Sequence, residues 1–216
     1  MSKGIVFFGG DGGCRDAIYL TYECHAMKDD IEAIVLSDKQ PQKIMKIKHM
    51  GGFDYIDSPQ LSGFRFVYQC GNVKNHVKRD IWYKKIKAKG LVPLTNVSPL
   101  AYVHSSAVIG AGSQIYPGVR IMRDVILGEN VIVLPNTVIN HGSNIGDFSI
   151  INSSCVLNGD VIIGKLSYIG ADTTIRENCQ INNRITVGMG SLVLSNLTED
   201  ALYYGRPTKK ISDNWC

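Results

Sequence analysis

Four things are missing from this chain, and each closes a route. No apolar run approaches the roughly 18–20 residues needed to cross a bilayer. Met1-Ser2-Lys3 leads straight into a short strand pattern rather than a basic-then-apolar leader. A cytoplasmic protein without a membrane partner is therefore expected. The six cysteines, at 14, 24, 70, 155, 179 and 216, form no CxxC pair and no framework spacing, which fits a reducing compartment. A strong excess of one charge is also lacking: 23 basic against 19 acidic residues leave +4, too little to imply nucleic acid. The basic residues between Lys74 and Lys89 read as the solvated face of a helix. Grouped histidines are the fourth absence. A zinc site needs about three protein ligands, and His141 stands alone in the repeat described next, with His104 two coils away in another column; no metal is expected.

What the chain has is a period of six. From Ala107 to Asn196 it divides into fifteen hexads without a gap, and the third position of each is aliphatic, from Ile109 and Ile115 to Val187 and Val193. Six of these aliphatics are followed directly by glycine, and the fourth residue after every one of the fifteen but the last is small or β-branched, as at Ser113, Val119 and Thr137. Six is neither the helical period of 3.6 nor the strand period of 2, so it marks a repeat architecture. Three short strands per coil, each giving one inward aliphatic, make a triangular parallel prism about five coils long. Glycine and asparagine at the turns supply positive φ. Cys155 and Cys179 take the small-residue position of their hexads and read as core filling.

Coil length is also a ruler: residues 18 apart stack in one column, about 4.8 Å apart. One column reads Arg123, His141, Gly159, Glu177. His141 follows an inward aliphatic by two residues, which puts it at a corner, pointing out. An imidazole titrates near neutrality and can take a proton from an attacking amine or hydroxyl. Gly159, one coil above, offers an unencumbered N–H for the oxyanion formed when a thioester is attacked.

The first 95 residues follow another rule. Apolar runs at Gly4–Phe8, Ile31–Leu36, Phe64–Cys70 and Leu91–Leu94 alternate with helical patterns, one through Ala17, Ile18 and Tyr22 to about Asp29-Asp30, one through Val73, Val77, Ile81 and Trp82. That order predicts a small parallel α/β sheet. Ligands of such sheets sit beyond the strands' carboxyl ends, here Gly9–Gly13, Ser37-Asp38 and Gly71-Asn72. The glycine loop does not match G-x-G-x-x-G, because Arg15 stands where the third glycine belongs, which disfavours a nicotinamide or flavin. Glycines opening a helix still suit a phosphate or sugar hydroxyls, or simply a tight turn.

A small α/β domain, an uninterrupted hexapeptide prism, Ile139-Asn140-His141 followed by Ile145-Gly146-Asp147-Phe148, and the closing Gly205-Arg206-Pro207-Thr208-Lys209 together resemble the sugar acyltransferases of the NeuD/PglD type over roughly Lys3 to Ile211. The resemblance implies a Rossmann-like domain at 1–95, a left-handed parallel β-helix at 96–200 and a C-terminal segment at 201–216. It implies acetyl-CoA as co-substrate, a homotrimer with sites between neighbouring prisms, His141 as general base and Gly159 as donor to the thioester carbonyl. Coenzyme contacts would fall at Ala171 and Met189, 18 apart in one column, and near Ile150, a histidine in some members. Nucleotide-sugar contacts would come from Asp11, Gly12, Gly13, Ser37, Asp38 and Gly71. The expected activity is N-acetylation of a nucleotide-linked 4-amino-4,6-dideoxysugar, a bacterial surface-glycan precursor. The alternatives are sialic acid O-acetylation and a non-catalytic trimeric binding protein. In two respects the chain departs from the family: members often carry Glu or Asp directly after the histidine, and here it is Gly142; and Ile150 stands where some members have histidine. Asn140, Asn158 or a group of the adjoining subunit is left to orient the imidazole.

Overall fold

The structure, a computed structural model, describes residues 4–9, 12–25, 32–38, 47–70, 74 and 76–213. Its first part is a five-stranded parallel sheet. The strands are β1 (Gly4–Phe8), β2 (Glu32–Leu36), β3 (Lys48–Gly51), β4 (Arg65–Tyr68) and β5 (Val92–Pro93), in the order β3-β2-β1-β4-β5. Central β1 is apolar throughout because both of its faces are covered. Ile5 and Phe7 pack with Ala17 and Ile18 of helix α1 (Gly12–His25), whereas Val6 and Phe8 pack with Tyr83 and Ile86 of helix α2 (Arg79–Ala88). The strand Lys48–Gly51 was not expected. It lies on the sheet edge, where Lys-His-Met-Gly carries no apolar alternation to announce it.

Three expectations in the second helical stretch need correction. The α-helix is ten residues long and begins only after a 3-10 turn at His76–Lys78 that holds Val77, while Val73 lies outside the described residues. Ile81 is on the outside, 61% exposed, because the buried stripe is Arg79, Tyr83 and Ile86, spaced i, i+4, i+7. Nor is the basic run wholly solvated. Arg79 is fully buried, and its guanidinium donates to Phe148 O (2.7 Å), Asn130 O (3.0 Å) and Asn130 Oδ1 (2.6 Å). Burial lowers its pKa to about 10, so it remains a cation at neutral pH.

From Asn96 onward the chain is the prism, and it starts two hexads earlier than Ala107, with Val97 and Val103 already packing inward. Seventeen two-residue strands run from Asn96–Val97 to Leu192–Val193 and form three parallel walls. Wall one holds the strands at 102–103, 120–121, 138–139, 156–157, 174–175 and 192–193; wall two those at 108–109, 126–127, 144–145, 162–163 and 180–181; wall three those at 96–97, 114–115, 132–133, 150–151, 168–169 and 186–187. Every inward aliphatic from Ile115 to Val193 is at most 1% exposed. Cys155 and Cys179 are buried among them, and burial raises the Cys155 thiol to about 11, which keeps it protonated. Buried hydroxyls tie successive coils: Ser143 Oγ donates to Asn158 O (3.1 Å) and accepts from Val161 N (3.2 Å).

Glycine and asparagine do supply positive φ at corners, at Gly112, Gly118, Gly142, Gly190, Asn130, Asn136 and Asn178, and aspartates such as Asp124 and Asp160 do so too. These positions fall three residues after the inward aliphatic, rather than at the glycine directly after it. The glycines directly after an aliphatic answer a packing need: a Cβ on Gly128 would stand 2.7 Å from the backbone N of Asp147 in the next coil.

The sheet unit docks on one corner and one wall. Arg79 reaches the corner at Asn130 and Phe148, Tyr83 OH donates to Ala111 O (3.1 Å), and Asn130 Nδ2 returns to Tyr68 O (3.1 Å). On wall three, Asn96 Nδ2 donates to Thr21 Oγ1 of α1 (2.8 Å), and Tyr116 OH donates to Gln69 (2.8 Å). Among the described residues no helix is long and apolar enough to cross a membrane.

Candidate active site

His141 lies at the corner joining walls one and two, away from the docked sheet unit. Its side chain is 49% exposed. The imidazole rests on the backbone of the next coil: a Cβ on Gly159 would stand 2.5 Å from Cε1 and 2.9 Å from Nε2. Around it the backbone is held by coil-to-coil bonds, Asp160 N to His141 O (2.8 Å), Asn178 N to Gly159 O (3.0 Å) and Gly142 N to Arg123 O (3.1 Å). The Gly159 amide makes no backbone hydrogen bond among the described residues. The corner thus presents a base and a free N–H donor in adjacent coils.

Of the groups left open as orienting His141, the two asparagines face other partners. Asn140 Nδ2 donates to Leu157 O (3.1 Å) and Asn158 Nδ2 to Ile175 O (2.9 Å), each bracing its wall. The side chain that does face the imidazole is Asp160, with Oδ2 3.8 Å from Nδ1. Reading along the chain missed it, although it stands one coil above Gly142 on the 18-residue ruler.

The strand-end loops come together with one another. Gly12 and Gly13 open α1 beyond β1, and Ser37-Asp38 follows β2 alongside; Gly9 N donates to Leu36 O (3.0 Å) and joins the two ends. β4 pairs with the other side of β1, and Cys70 Sγ donates to Phe8 O (3.0 Å), so the third loop begins at the same edge. Asp11 and Gly71 lie outside the described residues. Ser37 is buried, its carbonyl bonded to His49 Nε2 (3.0 Å). Asp38 is exposed and already has a task, since its Oδ1 accepts the Phe53 N–H (3.0 Å).

The structure does not bring these loops to His141 within one chain. Contacts of the sheet unit fall on wall three and on the corner of Ala111, Asn130 and Phe148, whereas His141 occupies another corner. Ala171 and Met189 share the third corner, above Pro117, Pro135 and Ser153; Met189 is 71% exposed, and Ala171 O accepts Gly190 N (2.7 Å). Ile150 is 4% exposed and belongs to the prism core cluster, so its side chain is taken up by packing within this chain. Among the described residues no group of three or more His, Cys, Asp or Glu side chains is arranged to hold a metal ion.

Comparison with known proteins gives three findings. The bacterial transferase hexapeptide (six repeats) family matches residues 106–141. The bifunctional protein GlmU of Synechococcus sp. (strain RCC307) is 29% identical over 131 residues, covering 55% of this chain, and this chain spans only 28% of that protein's length. Among solved structures, the acetyltransferase domain of PglB from Neisseria gonorrhoeae FA1090, in complex with acetyl coenzyme A, superposes with a TM-score of 0.88 at 20% identity, covering 98% of this chain and 100% of that one. PerB from Caulobacter crescentus, in complex with CoA and GDP-perosamine, gives 0.86 at 21% identity, covering 97% of each. At such identities the likeness is one of fold, and it extends over both the sheet unit and the prism.

Proposed function

We propose that this chain is an acetyl-CoA-dependent N-acetyltransferase acting on a nucleotide-linked 4-amino-4,6-dideoxysugar, in the cytoplasm, as a step toward a bacterial surface glycan. The observation that carries the reading is the His141–Gly159 pair: a half-exposed imidazole laid against a backbone amide that has no other partner among the described residues. It is supported by the whole-chain fold shared with proteins described as bound to acetyl coenzyme A and to CoA with GDP-perosamine.

In this reading residues 1–95 are a Rossmann-like unit that holds the nucleotide through Asp11, Gly12, Gly13, Ser37, Asp38 and Gly71. Residues 96–200 are a left-handed β-helix that holds the coenzyme along Ala171 and Met189, and 201–216 close it. The amine nitrogen attacks the thioester carbonyl carbon. His141 Nε2 takes the proton that nitrogen loses, while the Gly159 N–H donates to the carbonyl oxygen as it gains charge. The C–S bond breaks, the amide is left on the sugar, and the proton passes from His141 to the departing sulfur.

The active unit is a homotrimer. Two features support this: the nucleotide loops and His141 sit on different sides of one chain, and wall two, which flanks His141, turns Val108, Ile126 and Ile162 outward at 56%, 48% and 48% exposure, with Asn144 between the last two. An apolar stripe of that kind suits a neighbouring copy.

The test is thiol release from acetyl-CoA with UDP-, dTDP- and GDP-linked 4-amino-4,6-dideoxysugars. Turnover with one of them fixes both reaction and nucleotide. If none is acetylated while coenzyme A still binds, the acceptor is a hydroxyl, with sialic acid the next to try. If coenzyme A does not bind at all, the enzyme reading fails.

A further inference from the structure

The residue after His141 carries no side chain, yet the space that a side chain would fill is occupied. Asp124, Gly142, Asp160 and Asn178 form one column, each three residues past an inward aliphatic and each left-handed, with φ of 61°, 68°, 58° and 60°. Asp and Asn tolerate that region better than other side chains, by bonding locally. Three of the four carry such a group, and the one at the level of His141 does not. A Cβ built on Gly142 would overlap Oδ1 of Asp160. The missing side chain therefore makes room for the carboxylate of the coil above.

We propose that Asp160 is the positioning residue of His141, a carboxylate delivered from the next coil into the space left open at Gly142. This rests on the reading of His141 as general base. Its Oδ2 is 3.8 Å from His141 Nδ1, and its main chain is tied to the same residue through Asp160 N and His141 O at 2.8 Å. The neighbouring cation is engaged elsewhere, since Arg123 pairs with Asp124 at 3.0 Å. Among the described residues His141 is the one basic side chain within ion-pair distance of Asp160. A 3.8 Å separation is longer than a hydrogen bond, and catalytic contacts of this kind commonly tighten when substrate arrives. With Nδ1–H turned to Asp160, the lone pair of Nε2 faces the acceptor. When Nε2 takes the amine's proton, the imidazolium so formed has a carboxylate beside it; when that proton leaves for the sulfur, the neutral ring is restored. Asp160 itself exchanges no proton.

The test uses the full chain. Asp160→Asn keeps the shape and the tolerance of positive φ but removes the charge. It should lower kcat about tenfold or more, a share of the roughly 10²–10⁴ carried by a general base, with KM for both substrates within about twofold. Asp160→Gly, which also suits a φ of 58°, should lose kcat similarly and regain part of it when formate is added, a response that a purely structural aspartate would not give. Turnover within about twofold of the parent in Asp160→Asn overturns the proposal. So does a loss that follows a fall in Tm and is indifferent to formate. His141→Ala, measured alongside, separates the two layers: if it retains turnover, the base reading itself fails, whatever Asp160 does.

Discussion

The imidazole of His141 lies so close to Gly159 that no other residue fits there without moving it: an added Cβ would stand 2.5 Å from Cε1 and 3.2 Å from Nδ1. Gly159→Ala keeps the backbone N–H that is proposed to bind the thioester oxygen, so it isolates the placement of the base. Displacing a reacting group by about 1 Å can cost about 10²-fold, and kcat should fall by that order with an unchanged Tm. Full activity in this variant would mean that the ring works equally well elsewhere.

His141→Ala should lower kcat by about 10²–10⁴-fold. The side chain is half exposed and contributes nothing to the prism core, so thermal unfolding should be unaltered. A fall of less than about threefold would assign the rate to positioning and the Gly159 amide.

Arg79 is a stability prediction rather than a catalytic one. Arg79→Met leaves Phe148 O and Asn130 Oδ1 buried without their donor, at about 1–3 kcal/mol for each unsatisfied group. Denaturant titration should show a loss of at least about 2 kcal/mol by the same rule. Arg79→Lys should not restore it, because one ammonium cannot reproduce the planar fork. Wild-type stability in either variant would mean that the junction repacks.

Asp38→Ala should raise KM for the nucleotide sugar several-fold while leaving that for acetyl-CoA alone. Asp38→Asn retains the oxygen that caps Phe53 N, so comparing the two variants separates the loop's shape from the carboxylate's charge. An equal rise in both Michaelis constants would remove Asp38 from the nucleotide site.

The prism was readable because its signal is redundant: each of fifteen hexads carries an aliphatic at the same position, and the 18-residue ruler follows from arithmetic. His141 and Gly159 were found on that ruler. Asp160 was not, because it is 19 residues from His141 along the chain, and in a prism the nearest neighbour is often the residue one coil away. Arg79 looked like the rest of a lysine-rich face; its burial depends on carbonyls supplied from Asn130 and Phe148, far along the sequence. Ile150 precedes an inward aliphatic and so faces outward from its wall, yet it is 4% exposed, because tertiary packing that the repeat does not announce covers it. The edge strand Lys48–Gly51 had no pattern to read at all.

The closing segment covers the top of all three walls. Ala201–Tyr204 pairs with 186–187, and Lys209–Asp213 runs antiparallel outside it. Leu192 N donates to Gly205 O and Leu192 O accepts from Thr208 N, while Gln180 O accepts from Leu197 N. A stack of parallel coils would otherwise end in three unpaired β-edges, an open template for another copy to continue end to end. The covering strand instead presents Lys209, Lys210 and Asp213 to solvent, with Lys210 clasping Glu199 and Asp213 at 2.6 Å and 2.9 Å. The growth of a fibre is thereby stopped at one coil-end, and association is left to the sides of the column.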